Sequence, residues 1–264
     1  MVPVLAAWLA PACAGGAAGP EPAAAPTVAD RTAAWRAASP APMRHYVMGI
    51  LRSNDSGPDL PQERIDSLRV GHLANIRRMF DAHRLVCAGP FADDGTLQGI
   101  YIFDADSVSQ VRPWIDSDPF LSSGHMVCEL RRWLGPVGIS EVYRRAAHAD
   151  PTRRDSLVHY TMALIVRGPT WRPMEDSATA GLRARSVAGV ERMETTGEVA
   201  LAGPFEDDGD LRAIVVYATA DTAVARRWSD ADPAVAAGRL RAELHPWLTA
   251  HGILAHGPSP DPSR

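Results

Sequence analysis

The sequence predicts an α+β protein in which two tandem ferredoxin-like units, each β-α-β-β-α-β, pack sheet to sheet as a pseudo-dimer with a barrel-like interior. Three observations carry this expectation. The stretch LVCAGPFADDGTLQGIYIF from Leu85 returns as VALAGPFEDDGDLRAIVVY from Val199. Residues 44–134 align with 158–248 at a constant shift and without a gap, and about 27 of some 91 pairs are identical, far above chance for unrelated chains. The apolar pattern within one copy alternates strand, helix, hairpin, helix and strand. A sheet of this kind carries helices on one face only, so a second copy is the natural cover for the bare face.

Each element has its own signal. HYVMGIL at 45–51 is an apolar strand run. Residues 61–83 carry a helical period through Ile65, Leu68, His72, Leu73, Ile76, Met79 and Phe80. RLVCAGPF and LQGIYIFDA are two strands joined by ADDG, and Asp-Gly between apolar runs signals a hairpin. SVSQVRPWID is a shorter helix interrupted by Pro113, and HMVCELRRW closes the unit as a strand. The expected organisation is a leader and linker over 1–42, a first domain over 43–140 and a linker over 141–157. A second domain over 158–252 and a disordered tail over 253–264 follow.

Composition excludes several classes of function. The 264 residues carry a formal charge of −4, with 46% hydrophobic and 22% charged residues. That describes a soluble globular chain without the basic field that nucleic-acid binding needs. Arg far outnumbers Lys, but the arginines are scattered among carboxylates as on a solvated surface. The apolar run VPVLAAWLAPACAGGAAG is too short to span a bilayer and reads as a secretory signal. This predicts export, with a lipid attached at Cys13 or a cytoplasmic leader as the alternatives. The Ala/Pro-rich stretch after it has neither period and reads as a linker. Three cysteines supply no disulfide framework, and Cys87 and Cys128 sit in apolar runs as small hydrophobes. No phosphate loop, HExxH motif or metal-spaced Cys/His cluster is present, so neither a metal nor an organic cofactor is expected.

The candidate chemistry lies in the first copy. His72 falls inside the apolar arc of the first helix, where an imidazole costs desolvation unless it is paired. From His72 to the helix end is about 16 Å, and the next strand returns about 20 Å. The Asp93-Asp94 turn therefore comes back to the level of His72, and the second helix brings Asp118 to the same end. A carboxylate beside an imidazole orients the ring as a general base. The catalytic candidates are thus His72 with Asp93, Asp94 or Asp118. Each also has a plain structural use: Asp93-Asp94-Gly95 makes a good turn, Asp118 before Pro119 makes a good cap, and His72 can be a packed core residue. His45 is a lesser, substrate-binding candidate. Ser186 takes the place of His72 in the second copy, so any reaction belongs to the first copy and the second supplies a wall with Ser186 on it.

GHLANIRRM, AGPFADDGTLQGIYIFDADS and SDPF, together with LAGPFEDDGDLRAIVVY and ADPAVAAGRLRAELHPW, make the chain resemble the YciI-like (YCII) family. That family is a branch of the dimeric α/β-barrel superfamily. The resemblance covers both copies, about two thirds of the chain. It implies a pseudo-dimeric α/β barrel, a His–Asp site at His72, and cofactor-independent elimination in the manner of its few dehydrochlorinase-like members. Ser186, the Arg131-Arg132 pair opposite His245-Pro246, and the leader depart from the family pattern.

Two functions follow as expectations. One is a cofactor-independent lyase or isomerase acting on a small phenolic, enolic or lactone-like molecule held between the two sheets. The other is a non-catalytic small-molecule-binding or scaffold protein. The partners expected are a small-molecule ligand and the second half of the same chain, with further homo-oligomers allowed; nucleic acid and a membrane span are not expected.

Overall fold

The computed structural model describes residues 26–173 and 176–257. A leading helix α1 (Val28–Ala38) precedes the first unit, which comprises β1 (Met43–Ser53), α2 (Gln62–Asp81), β2 (Leu85–Pro90), β3 (Leu97–Phe103), α3 (Val108–Ile115), α4 (Pro119–Ser122) and β4 (Met126–Pro136). A second leading helix α5 (Glu141–Ala149) precedes β5 (Leu157–Arg167), α6 (Ser177–Thr196), β6 (Val199–Pro204), β7 (Leu211–Tyr217), α7 (Thr222–Asp230), α8 (Pro233–Ala236) and β8 (Leu240–Ala250). Each unit forms a four-stranded sheet, in the orders β2-β3-β1-β4 and β6-β7-β5-β8, with antiparallel neighbours throughout. This is the ferredoxin-like topology written twice. Even the register breaks recur, between Leu51 and Arg52 and again between Ile165 and Val166.

Strand alternation sorts the core into three layers. Tyr46, Met48 and Ile50 of β1 face Tyr160, Met162 and Leu164 of β5 in a single inter-sheet core. Val47 and Leu51 point the other way, beneath Met79 of α2 and Val111 of α3. Ala163 and Ile165 do the same in the second unit, under α6 and α7. Trp133 and Trp247 fill the space between the sheets, and both are fully buried.

The two sheets close on each other at their edges. β4 runs beside β6, where Glu206 N donates to Arg132 O at 3.0 Å. β2 runs beside β8, where Ala92 N donates to Pro246 O at 2.9 Å. Single bridges pair Phe91 with Trp247 and Trp133 with Phe205. These edge contacts seal the pseudo-dimeric α/β barrel and leave fewer unpaired strand edges.

The repeated AGPF-x-DDG stretch belongs to this seam. Trp247 Nε1 donates to Gly89 O at 3.0 Å and Trp133 Nε1 donates to Gly203 O at 2.9 Å. A Cβ on Gly89 would collide with Leu248 O and stand 2.7 Å from Trp247 Cε2, and Gly203 meets Leu134 O and Trp133 in the same way. Only glycine lets the strands approach that closely. The first aspartate of each turn then ties to the opposite unit. Arg131 Nε donates to Asp207 Oδ2 at 2.8 Å, and His245 Nδ1 lies 2.7 Å from Asp93 Oδ2. Arg131 and His245 occupy equivalent positions, so two different side chains perform one task. Burial alone would raise the Asp207 pKa; hydrogen bonds from Arg131 and the Gly209 amide, with the charges of Arg131 and Arg212, outweigh it and hold the carboxyl below its ordinary value.

Three expectations need correction. The stretch after the leader is not all linker, because α1 is a helix with a capping box: Asp30 N donates to Thr27 Oγ1 at 3.2 Å and Thr27 N to Asp30 Oδ2 at 2.9 Å. It lies across the second unit, with Arg31 donating to Asp208 Oδ1 at 2.8 Å and Trp35 packing into the helix layer. The segment 141–157 likewise contains α5, which lies on the first unit: Arg144 donates to Phe80 O and Leu85 O, each at 3.0 Å. Each leading helix therefore crosses to the opposite unit. Apolar periodicity could not reveal α1, which is held by arginines and Trp35, whereas α5 is amphipathic and buries Tyr143 with Ala147 packed against the core. The expected tail also begins inside the core, where Ile253 and Leu254 are buried; residues 258–264 lie outside the described residues, as do the signal segment and Cys13.

Candidate active site

The helix α2 is amphipathic, and its buried face carries Leu68, Asn75 and Met79. His72 lies one turn along from Leu68 on the same side, and its side chain is 17% exposed. Leu73, expected on the apolar arc, is 58% exposed instead; it points sideways off a helix whose inner stripe is narrower than the arc. Asp118 terminates the loop after α3 and caps α4, its Oδ1 accepting from Phe120 N at 3.0 Å. That capping leaves Oδ2 free for other donors.

Three donors converge on Asp118 Oδ2. His72 Nδ1 lies at 2.8 Å, Tyr101 Oη donates at 3.0 Å, and Asn75 Nδ2 donates at 3.3 Å. Asn75 is held in turn, since its Oδ1 accepts from Arg78 and from Ser117 Oγ. The Asp118 side chain is wholly buried. Burial alone would raise its pKa, but the hydrogen bond and charge of His72, with the Tyr101 and Asn75 hydrogen bonds, hold the carboxyl below its ordinary value. Burial also pushes the Tyr101 phenol far up, reinforced by the neighbouring Asp118 charge, so Tyr101 remains a donor. With Nδ1–H committed to Asp118, the lone pair of His72 sits on Nε2. The ring is flanked by Phe120, edge-on at 5.1 Å between centroids, and by Tyr101 at 6.1 Å.

Of the sequence candidates, His72 and Asp118 are brought together and the others are not. Asp93 is bound to His245 of the second unit, and Asp94 is exposed. The hairpin carrying them extends past the sheet edge to β8 and away from α2. His45 lies at the other seam, its Nδ1 2.7 Å from Glu206 Oε2 and its Nε2 3.2 Å from an Arg36 nitrogen. Ser186 donates to Asp232 Oδ2, repeating the place of the His72–Asp118 pair in the second unit. The site also lies between helix and sheet, on the outer face of the first sheet, since Tyr101 belongs to the helix-side core. The expected location between the sheets is occupied by the tryptophan-rich core.

Two site residues escaped the sequence reading. Asn75 follows His72 by three residues, the spacing that puts both on one helix face. Tyr101 sits on the helix-facing side of β3. Comparing the copies would have marked both, because Gly189 and Val215 stand at the equivalent positions. The second unit keeps the aspartate and drops every partner but a serine. Among the described residues, no group of three or more His, Cys, Asp or Glu is placed to hold a metal ion, and no helix is long and apolar enough to cross a membrane.

Comparison with known proteins gives one family match: residues 46–134 fit the profile of the YCII-related domain. No curated protein matches the chain. Among solved structures, a chlorite dismutase point mutant from Candidatus Nitrospira defluvii is similar, with 10% identity and a TM-score of 0.48 over 83% of this chain and 96% of that one. The same enzyme in complex with imidazole is similar at 9% identity and a TM-score of 0.47, over 83% and 94%.

Proposed function

Because residues 46–134 are a YCII-related domain, we propose that the first unit is a cofactor-independent lyase or isomerase in which His72 is the general base and Asp118 its positioning residue. The observation that carries this reading is the 2.8 Å contact from His72 Nδ1 to a wholly buried Asp118. His72 Nε2 takes a proton from a carbon acid or hydroxyl of a small phenolic, enolic or lactone-like substrate. In an elimination the C–H electron pair becomes the new double bond, and the leaving group departs with its own pair. In an isomerisation the imidazolium returns the proton at another carbon. The Asp118 carboxylate stabilises the imidazolium in both cases, and Tyr101 and Asn75 keep that carboxylate oriented.

One observation favours a second reading, a binding or scaffold protein. Asp118 and Asp232 both cap a short helix, Asp118 through Phe120 N and Asp232 through Ala234 N at 2.8 Å, so the aspartate has a structural use without any histidine. The test is a thermal-shift screen of wild type and His72→Gln against phenols, hydroquinones, lactones and dienoates. A ligand shift in wild type that is lost in a folded variant places a ligand at His72, and turnover of that ligand by wild type alone supports the enzyme over a binding protein. A variant that melts far lower, with no ligand found for wild type, supports the scaffold.

A further inference from the structure

The second unit contains a cavity of about 120 Å³ between α6, the outer face of its sheet and α1. Its origin is legible position by position. Where the first unit has His72, Tyr101 and Phe120, the second has Ser186, Val215 and Ala234, and all three smaller side chains line the cavity. Large-to-small replacement in a packed layer leaves a void when the surrounding structure cannot collapse into it. Here α1 roofs the space with Trp35, and Trp171 closes another side.

The lining is apolar but its charge is one-sided. Arg31, Arg183, Arg212 and Arg239 line the cavity together with Asp232, and Arg31 and Arg212 also pair with Asp208 outside it. Two of these arginines replace uncharged or weakly basic residues, since the first unit has Gln98 opposite Arg212 and His125 opposite Arg239. Arg212 is only 8% exposed. The guanidinium groups of Arg167, Arg212 and Arg239 all lie within 5.1–5.3 Å of the Trp171 ring centre. Burial, joined by the charges of Arg31 and Arg167 and opposed by those of Asp208 and Asp207, lowers the Arg212 pKa to about 10. Among the described residues, Arg31, Arg212 and Arg239 at the cavity face two carboxylates, Asp232 in the lining and Asp208, which Arg31 and Arg212 share.

We propose that this cavity is a binding site for a small carboxylic acid with an apolar body, its ring or chain against Val190 and Val215 and its carboxylate towards the arginines. The volume is close to the ~150 Å³ of an apolar protein cavity that holds benzene, which sets the ligand at about one ring. Arginine recognises a carboxylate through paired N–H donors, and exclusion of water strengthens that attraction. The site makes no use of His72 and stands whether or not the first unit is an enzyme.

The test is calorimetric titration of the full chain with benzoate, phenylacetate and, as the uncharged control, benzyl alcohol. Saturable binding of the acids below ~10 mM is expected, with the alcohol at least about tenfold weaker. Val190→Phe fills the cavity and abolishes binding, while His72→Gln leaves it unchanged; Arg239→Gln weakens it should the Val190 variant fail to fold. Equal affinity for acid and alcohol overturns the assignment of a carboxylate ligand. No saturable binding to wild type, or binding lost in His72→Gln but retained in folded Val190→Phe, overturns the site.

Discussion

The indole of Trp133 in the first unit donates to the carbonyl of Gly203 in the second at 2.9 Å, and a Cβ on Gly203 would stand 2.9 Å from Trp133 Cζ2. Trp133 is fully buried, so its N–H has no route to water. Trp133→Phe leaves the Gly203 carbonyl without its indole donor, and a loss of about 1–3 kcal/mol is expected in denaturant unfolding. Gly203→Ala should cost about 3 kcal/mol or more by overpacking the same contact. The pseudo-symmetric Trp247 and Gly89 should behave alike. A neutral result at either glycine would contradict the close approach of the edges.

Two residues beyond α2 stands His83 at φ 56°, whereas the equivalent Gly197 caps α6 with φ 83°. A side chain in the left-handed region costs about 1–2 kcal/mol that glycine avoids. The unfolded chain gains freedom from glycine and takes part of that back. His83→Gly should therefore stabilise the protein by about 0.5–1 kcal/mol in chemical denaturation.

Asp118 makes stability depend on pH. Its folded pKa is depressed below the ordinary 3.8, so the folded state binds this proton less readily than the unfolded state. The stabilisation is present above pH 3.8 and is lost as pH falls through the folded value. The stability gap between wild type and Asp118→Asn should consequently narrow below about pH 4. A gap that stays constant down the acid limb would remove the charged pairing with His72.

The leading helix α1 is held by Arg31 on Asp208 and by Arg183 donating to Asp30 O at 3.2 Å. Chain lacking residues up to 38 should expose Val187 and the wall beneath Trp35, lower the melting temperature, and bind more of a hydrophobic dye. The same truncation of a freely solvated linker would change none of these.

Much of this architecture is written locally. Apolar alternation in HYVMGIL, the Asp-Gly turns, and the helical period around Leu68 and Met79 each constrain a few neighbouring residues, and their recurrence after one constant shift implies two like units. His72 and Asp118 could be named as candidates because helix rise and strand rise place both at one end of the unit. Sequence alone also shows that the second copy lacks the imidazole, since Ser186 stands in its place.

What the tertiary structure decided are the relations between residues far apart in the chain. Asp93 and Asp118 are equally good partners for His72 on paper; the barrel seam draws Asp93 to His245 because the hairpin continues past its own sheet to β8. Which face of the sheet carries the site depended on what fills the inter-sheet space, and two buried tryptophans fill it. The crossing of α1 rests on arginines reaching the opposite unit, interactions without periodicity, and that of α5 on which unit its amphipathic face and Arg144 meet. Local pattern reports which face of an element is buried; only the closed barrel determines what it is buried against.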